Sequence, residues 1–223
     1  LVDLVFKKKG YDGWSLIYDT TSYGTSCNNA VKKALDEAGA KVLSEDGVPV
    51  GTQDFRPILS RIKAMNPGSK VIYYGGVVTE AALIKRQMAE MGMSNYLYCG
   101  VTGFDSETFN KTAGGDAEGT VIVGKKVIGE DSAFVKAYKA EGYKEYYEAT
   151  GPYAYDATGL IIAAINKVGP NDKALLAKAI RGMEYHGVLG LTKFDDFGQT
   201  LTGGLTLKVS EGGQWVGTAE IGL

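Results

Sequence analysis

The first half of the chain alternates short apolar runs with segments in which apolar residues recur every three or four positions. The apolar runs predict five β-strands, over residues 14–19, 41–44, 71–74, 96–99 and 119–123. The segments between them predict helical or partly helical crossovers, and residues 1–6 predict a helix that leads into the first strand. Strands joined by such crossovers indicate an α/β fold with a doubly wound, parallel five-stranded sheet.

The pattern changes after about residue 125. Three helices are predicted over residues 134–142, 153–168 and 173–181, and short strands over residues 187–189, 205–209 and 214–219. Helices without a sheet of their own must bury their apolar stripes on another layer. Such a stripe is formed by Ile161, Ile162, Ala164 and Ile165. We therefore expect residues 126–206 to be an incomplete second α/β lobe, with the stripe covered by another chain or the segment poorly ordered.

Composition narrows the possible functions. Hydrophobic residues make up 44% of the 223 positions, which is enough for a sizeable core. The 24 basic and 26 acidic residues give a net charge of -2, which argues against nucleic acid as a partner. One histidine and two cysteines exclude a multi-histidine metal site and a four-cysteine zinc site. Neither a metal nor a cofactor is expected.

Ligands of doubly wound folds bind beyond the carboxyl ends of the strands, beside the N-termini of helices. In this chain the loop after the first strand is rich in hydroxyl groups, and capping explains some of them. Tyr23 is a large ring in the same loop, and we expect it to contact a ligand. The glycines of residues 100–103 match neither the dinucleotide-binding fingerprint nor the phosphate-binding loop.

The chain carries few signs of catalysis. It contains no nucleophile elbow, and His186 lies beside a predicted strand, as is typical of a turn or surface histidine. Cys27 is predicted in a first helical turn, where the helix dipole lowers a thiol pKa, but the sequence places no base beside it. A disulfide between Cys27 and Cys99 stays open, although the third strand is expected to separate them.

An ordered set of short motifs resembles one known family. Its members are Tyr23-Gly24, Gln53-Asp54-Phe55, Tyr73-Tyr74-Gly75-Gly76, Gly115-Asp116-Ala117-Glu118-Gly119, Gly151-Pro152-Tyr153 and Phe194-Asp195. In this order and spacing they resemble the type I periplasmic binding proteins of the branched-chain amino-acid (Leu/Ile/Val-binding) family, over essentially the whole chain. The resemblance implies that residues 1–125 and 207–223 form the second ligand-binding lobe. Residues 126–206 would then be the C-terminal part of the first lobe, whose start lies outside this sequence.

The resemblance also implies which residues contact the ligand. Tyr23 and Tyr153 match two ligand-facing tyrosines of the family. The chain departs from the family at Val77, where Leu/Ile/Val binders have an aromatic ring, and at Thr102, where they have a carboxylate that pairs with the ligand ammonium. Asp105 is a candidate substitute for that carboxylate. Val77 implies a larger pocket, suited to a bulkier or aromatic ligand.

The expected function is that of a non-catalytic receptor that delivers a small amino acid or a related carboxylate or aromatic solute to the membrane subunits of an ABC importer. The resemblance implies a periplasmic or extracellular protein, either free or held at the membrane by a lipid anchor. It also implies that this chain alone binds its ligand weakly. The alternative is a ligand-binding sensor module of a receptor with the same fold, which a signalling domain in the full-length product would identify. An enzyme on this fold is the third hypothesis, and the absence of a nucleophile–base pair in the sequence disfavours it.

Overall fold

A computed structural model of the chain describes residues 1–8, 10–65, 70–126, 128–143, 147 and 150–222, without the side chains of Lys8 and of residues 218–222. The chain divides into two compact units. Unit 1 consists of Leu1–Gly124 and Leu207–Ala219, and unit 2 of Lys125–Thr206 and Glu220–Leu223. The sequence Asn66-Pro67-Gly68, which predicts the end of the preceding helix, lies outside the described residues.

Nine strands are described. They are β1 (Trp14–Asp19), β2 (Val42–Val48), β3 (Val71–Gly75), β4 (Leu97–Gly100), β5 (Val121–Lys125), β6 (Tyr185–Gly187), β7 (Gly190–Thr192), β8 (Gly204–Glu211) and β9 (Gln214–Gly222). The main sheet has the order β2-β1-β3-β4-β5-β8-β9, and its first five strands pair in parallel. The predicted doubly wound α/β class is confirmed. The sheet is wider than the five strands predicted, because the β8–β9 hairpin extends it beside β5.

The described helices are α1 (Ser22–Ala38), α2 (Arg56–Met65), α3 (Val78–Glu90), α4 (Glu107–Ala113), α5 (Ala133–Ala140), α6 (Gly151–Val168) and α7 (Lys173–Arg181), and Asp3–Lys8 is π-helical. Local chemistry sets the ends of α1. Thr21 caps its start by accepting a hydrogen bond from Gly24 N at 3.2 Å. Gly39 ends it in the left-handed region, with a φ of 75° that glycine adopts without strain.

Aromatic rings tie the C-terminal hairpin to the core of unit 1. Phe109 packs between Phe104 and Trp215, with both pairs of ring centroids 5.3 Å apart. Trp215 Nε1 also donates to the carbonyl oxygen of Ser106 at 3.1 Å. On the same hairpin, Ser210 Oγ donates to Asn110 Oδ1 at 2.6 Å. These contacts hold α4 and the segment after β4 in place against β8 and β9.

Unit 2 combines α5, α6 and α7 with the two-stranded hairpin β6–β7. The strand predicted around residues 187–189 is displaced by two residues. The observed strand β6 covers Tyr185–Gly187, and Val188 and Leu189 form the turn of this hairpin. Their backbone N–H groups donate to the Asp156 carboxylate at 2.8 and 2.9 Å, so they do not join a ladder. The predicted apolar stripe of α6 is divided. Ala164 is buried within unit 2, whereas Ile161 and Ile162 are 49% and 53% exposed.

Candidate functional site

Three loops of unit 1 meet at Gly103, at the carboxyl ends of β1, β3 and β4. A methyl group on Gly103 would lie 2.0 Å from the carbonyl oxygen of Gly76 and 3.0 Å from Tyr23 Oη. Only a residue without a side chain fits there, and the close approach places Tyr23, Val77 and Thr102 together at one edge of the sheet. The sequence had singled out these three residues separately.

The hydroxyl groups of Tyr23 and Thr102 form a pair. Tyr23 Oη and Thr102 Oγ1 are 3.3 Å apart, and either oxygen can donate. Burial raises the pKa of the Tyr23 phenol above its usual value, so the phenol stays neutral and can donate a hydrogen bond at physiological pH. The Tyr23 ring is nevertheless 40% exposed, which leaves part of it available for contact.

Asp19 fixes the start of the Tyr23 loop. This carboxylate ends β1, is 1% exposed, and accepts hydrogen bonds from Thr21 N at 3.0 Å and from Thr21 Oγ1. A methyl group on Gly24 would lie 2.3 Å from the Asp19 carbonyl oxygen, so the first turn of α1 sits directly against the end of β1. The hydroxyl groups of this loop were predicted to be helix caps or ligand contacts. The Thr21 hydroxyl group is a helix cap.

The loop after β3 brings an apolar side chain and an uncapped helix end to the same edge. Val77 is 39% exposed and occupies the N-cap position of α3 without a side-chain hydrogen bond to the helix. The N–H groups of the first turn of α3 therefore have no side-chain cap, and the helix dipole adds partial positive charge there. Gly76 lies against the Tyr74 ring, because a methyl group on Gly76 would lie 2.3 Å from Tyr74 Oη.

The structure gives Asp105 a partner within unit 1. Lys208 Nζ on β8 lies 2.8 Å from both Asp105 carboxylate oxygens, and the two side chains are 6% and 3% exposed. A methyl group on Gly124 would lie 2.7 Å from the Lys208 side chain, so Gly124 makes room for the pair. The carboxylate that was a candidate for a ligand ammonium is thus already neutralised and buried.

Tyr153 lies in unit 2, near the start of α6. Its phenol oxygen accepts a hydrogen bond from Lys126 N at 3.3 Å. The residue lines a hollow of about 420 Å³ together with Leu160, Leu189 and Phe194. A second hollow in unit 2, of about 840 Å³, is lined by aromatic rings that include Phe134 and contains none of the five predicted residues. The 420 Å³ hollow is therefore the one that the sequence prediction points to.

The two cysteines are free thiols in the structure. The expectation that a helix dipole lowers the pKa of Cys27 is wrong, because the residue lies beyond the first turn of α1 and burial raises its pKa. Burial likewise raises the pKa of Cys99, which is fully buried on β4. Both thiols are therefore poor nucleophiles at neutral pH.

His186, the remaining residue considered for catalysis, and Asp195 of the Phe194-Asp195 motif lie in unit 2. His186 is exposed on β6, and Asp195 Oδ1 accepts from Phe197 N and Gln199 N at 2.9 and 2.8 Å. Within the described ranges, no group of three or more His, Cys, Asp or Glu side chains is arranged to hold a metal ion. A search of the same residues finds no helix with the length and apolar character that a membrane span needs.

Sequence reasoning missed two residues that organise this edge. Gly103 was part of a weak glycine signal, and its close approach to the Gly76 backbone has no counterpart in the local pattern. Lys208 comes 103 positions after its partner, and a lysine in a strand carries no signal of burial.

Comparison with known proteins places the chain in a family. A family model described as "Periplasmic binding protein" matches residues 1–214. Leu/Ile/Val-binding protein homolog 1 of Brucella suis biovar 1 (strain 1330) is 32% identical over 192 residues, which are 82% of this chain and 49% of that protein. The chain belongs to the periplasmic binding protein family, as a type I member related to the branched-chain amino-acid binders. It spans about half the length of the curated relatives it matches.

Solved structures agree on the fold. The leucine-binding protein LivK from Thermotoga maritima MSB8 superposes with a TM-score of 0.88 at 25% identity, covering 99% of this chain and 63% of that one. A solute-binding protein of an ABC transporter from R. palustris, solved in complex with benzoate, has a TM-score of 0.84 at 18% identity, covering 97% and 60%. The second likeness bears on the fold alone.

Proposed function

We propose that the chain is part of a solute-binding receptor of an ABC importer, which holds a small organic solute without changing it. Its family consists of solute-binding proteins, and the chain's relatives include amino-acid binders and components of ABC transporters. The observation that carries the proposal is the meeting of Tyr23, Val77 and Thr102 around Gly103. An exposed ring, an aliphatic side chain and hydroxyl groups are what a small organic solute requires of a binding surface.

In this proposal each residue has a distinct role. The Tyr23 ring and Val77 cover the apolar part of the solute, and the hydroxyl group of Thr102 and nearby backbone N–H groups bind its polar part. On the basis of the family resemblance, Tyr153 of unit 2 is assigned a further apolar contact with the solute. The proposed lobes are unit 1, as the second ligand-binding lobe, and unit 2, as the C-terminal part of the first. Affinity then comes from burial and a few satisfied polar groups, with no bond made or broken.

The proposal also covers partners and location. A receptor of this kind delivers its solute to the membrane subunits of the importer, and its family indicates a periplasmic or extracellular location. We propose that location for the full-length protein, with a lipid anchor as the form that keeps it at the membrane. Fractionation of cells into released, periplasmic and membrane-bound pools distinguishes the anchored form from the free one.

A thermal-shift screen of amino acids, aromatic acids and sugars on the full-length protein tests the function. We expect at least one solute to raise the melting temperature, because a ligand that binds only the folded state stabilises it. Tyr23→Ala should abolish most of this shift. Tyr155→Ala, which removes a 57% exposed ring on α6, is the matched control and should preserve it. A screen without any stabilising solute, or equal loss in both variants, contradicts the proposal.

A further inference from the structure

The described carboxylates at the edge of unit 1 where Tyr23, Val77 and Thr102 lie are either buried or paired. Among the described residues, five acidic side chains end one of the strands β1 to β4 or lie before or in the first turn of the helix that follows it: Asp19, Asp54, Glu80, Asp105 and Glu107. This inventory decides which charges a solute meets, because an ammonium group in a dry site needs a carboxylate beside it.

Three of the five carboxylates are buried. Asp19 lies beneath Thr21 with 1% of its surface exposed. Glu80 is 2% exposed, and its Oε1 accepts from Gly51 N at 2.7 Å. Asp105 has both oxygens on Lys208 Nζ at 2.8 Å. None of these carboxylates presents its charge at the surface where Tyr23 is exposed.

The two exposed carboxylates each have a neighbouring cation. Asp54 Oδ1 lies 3.0 Å from Arg56 NH1, and Glu107 Oε2 lies 2.8 Å from Lys111 Nζ. In unit 2, Asp156 lines the same hollow as Tyr153, but its oxygens accept from the backbone of Val188 and Leu189. Its hydrogen-bonding capacity is thus directed at the turn between β6 and β7.

The groups that remain exposed at this edge are neutral or partly positive. Tyr23 and Thr102 offer hydroxyl groups, and burial raises the pKa of the Tyr23 phenol so that it keeps its proton. Val77 offers an aliphatic surface, and the first turn of α3 behind it has N–H groups without a side-chain cap. A helix N-terminus of this kind favours an anion over a cation.

We propose that the solute is an organic acid with an apolar body and no ammonium group. This inference rests on the proposed function and names the class of solute that the receptor takes. The carboxylate of the solute is attracted by the hydroxyl groups and the α3 N-terminus, and its apolar body covers Tyr23 and Val77. An α-amino acid would have to bury its ammonium group against this surface of unit 1, where the described residues include no exposed, unpaired carboxylate.

Calorimetry with matched pairs of solutes on the full-length protein tests the class. Each pair keeps one carbon skeleton and differs only in the amino group: L-leucine against 4-methylpentanoate, and L-phenylalanine against 3-phenylpropanoate. We expect the acid of at least one pair to bind about tenfold or more tighter than its amino acid, since an unpaired ammonium group forfeits a charge-assisted hydrogen bond.

A variant that adds a carboxylate to the proposed solute site provides a second test. Thr102→Glu installs a carboxylate beside Tyr23 and should shift the affinity ratio towards the amino acid by about tenfold or more. Thr108→Glu, on the exposed face of α4, adds the same charge away from the site and should leave the ratio unchanged. Because the pairs are also measured on the unaltered protein, the inference stays testable if Thr102→Glu fails to fold.

The outcomes separate this inference from the function on which it rests. An amino acid that binds as tightly as its matched acid, or tighter, overturns the inference and leaves a solute-binding receptor. Binding of a sugar, with neither acid bound, has the same consequence. A protein that binds no small solute overturns both.

Discussion

Lys208 and Asp105 form a buried ion pair, with Nζ 2.8 Å from each carboxylate oxygen. Removing one partner strands the other charge in a dry site, so Lys208→Met or Asp105→Asn should lower the free energy of unfolding by about 3–5 kcal/mol. Removing both charges should cost much less, because Lys208→Met with Asp105→Leu strands neither. Urea unfolding of the three variants measures the difference.

The ion pair on α4 provides the matched control. Lys111 and Glu107 are also 2.8 Å apart, but their side chains are 76% and 46% exposed. Lys111→Met should therefore change the free energy of unfolding by less than about 1 kcal/mol. Single variants of the buried pair that cost no more than this one would show that Asp105 and Lys208 are hydrated in solution.

Gly103 should tolerate no side chain. In Gly103→Ala the new methyl group would lie 2.0 Å from the Gly76 carbonyl oxygen, so the two loops must move apart. We expect a loss of about 1–3 kcal/mol in stability and a marked loss of solute affinity. Gly115→Ala is the control, because no atom lies within 4 Å of the methyl group it adds. Thermal melts and calorimetry read out both effects, and equal behaviour of the two variants would contradict the close packing.

The Tyr23 hydroxyl group should matter for binding more than for folding. Tyr23→Phe keeps the exposed ring but removes the partner of Thr102 Oγ1, 3.3 Å away. We expect the solute affinity to fall about five- to tenfold, which corresponds to one ordinary hydrogen bond. Tyr96→Phe alters a tyrosine that packs against the core of unit 1 and should leave the affinity unchanged. Titration calorimetry with the solute found in the screen makes the comparison.

Alkaline pH should destabilise the protein through Cys99. Burial raises the pKa of this thiol in the folded state, whereas the unfolded thiol titrates near about 8.5. Its contribution is therefore complete below about pH 8.5 and declines as pH rises, by up to about 1.4 kcal/mol per pH unit. The free energy of unfolding, measured between pH 8 and 10, should fall less steeply in Cys99→Ala. An unchanged slope in that variant would assign the decline to other groups.

The exposed isoleucines of α6 should promote association of this chain. Ile161 and Ile162 are 49% and 53% exposed, and adjacent apolar surface of this kind favours contact with another chain. Ile161→Glu with Ile162→Glu should reduce association, as measured by sedimentation velocity. Val50→Glu, at a 56% exposed position of unit 1, should have no such effect.

The parallel sheet could be predicted because its signals are local. Strand β1 was predicted at its observed bounds, Trp14–Asp19, since a buried central strand is a continuous apolar run flanked by turn residues. The β6–β7 hairpin could not, because its turn depends on Asp156, which lies 32 positions before Val188. Local sequence patterns do not indicate a hydrogen-bond partner that lies so far away along the chain.

The candidate site divides in the same way. Tyr23 follows a strand end, and the rule that ligands bind at those ends singles it out, whereas Thr102 was singled out by the family resemblance. Their contact with each other depends on the close approach of Gly103 to Gly76, which no spacing along the chain encodes. The pairing of Asp105 with Lys208 could not be predicted either, because only the folded sheet brings β8 beside β5 and Lys208 to the carboxylate.

The separation of Asp105 and Lys208 along the chain has a consequence during synthesis. The lysine is translated 103 residues after the carboxylate, a delay of about 5–20 s at ordinary ribosomal rates. Throughout that interval the nascent sheet lacks β8, and Asp105 has to stay hydrated or be held by a chaperone. Unit 1 therefore reaches its final form only after the whole of residues 125–206 has left the peptidyl-transferase centre.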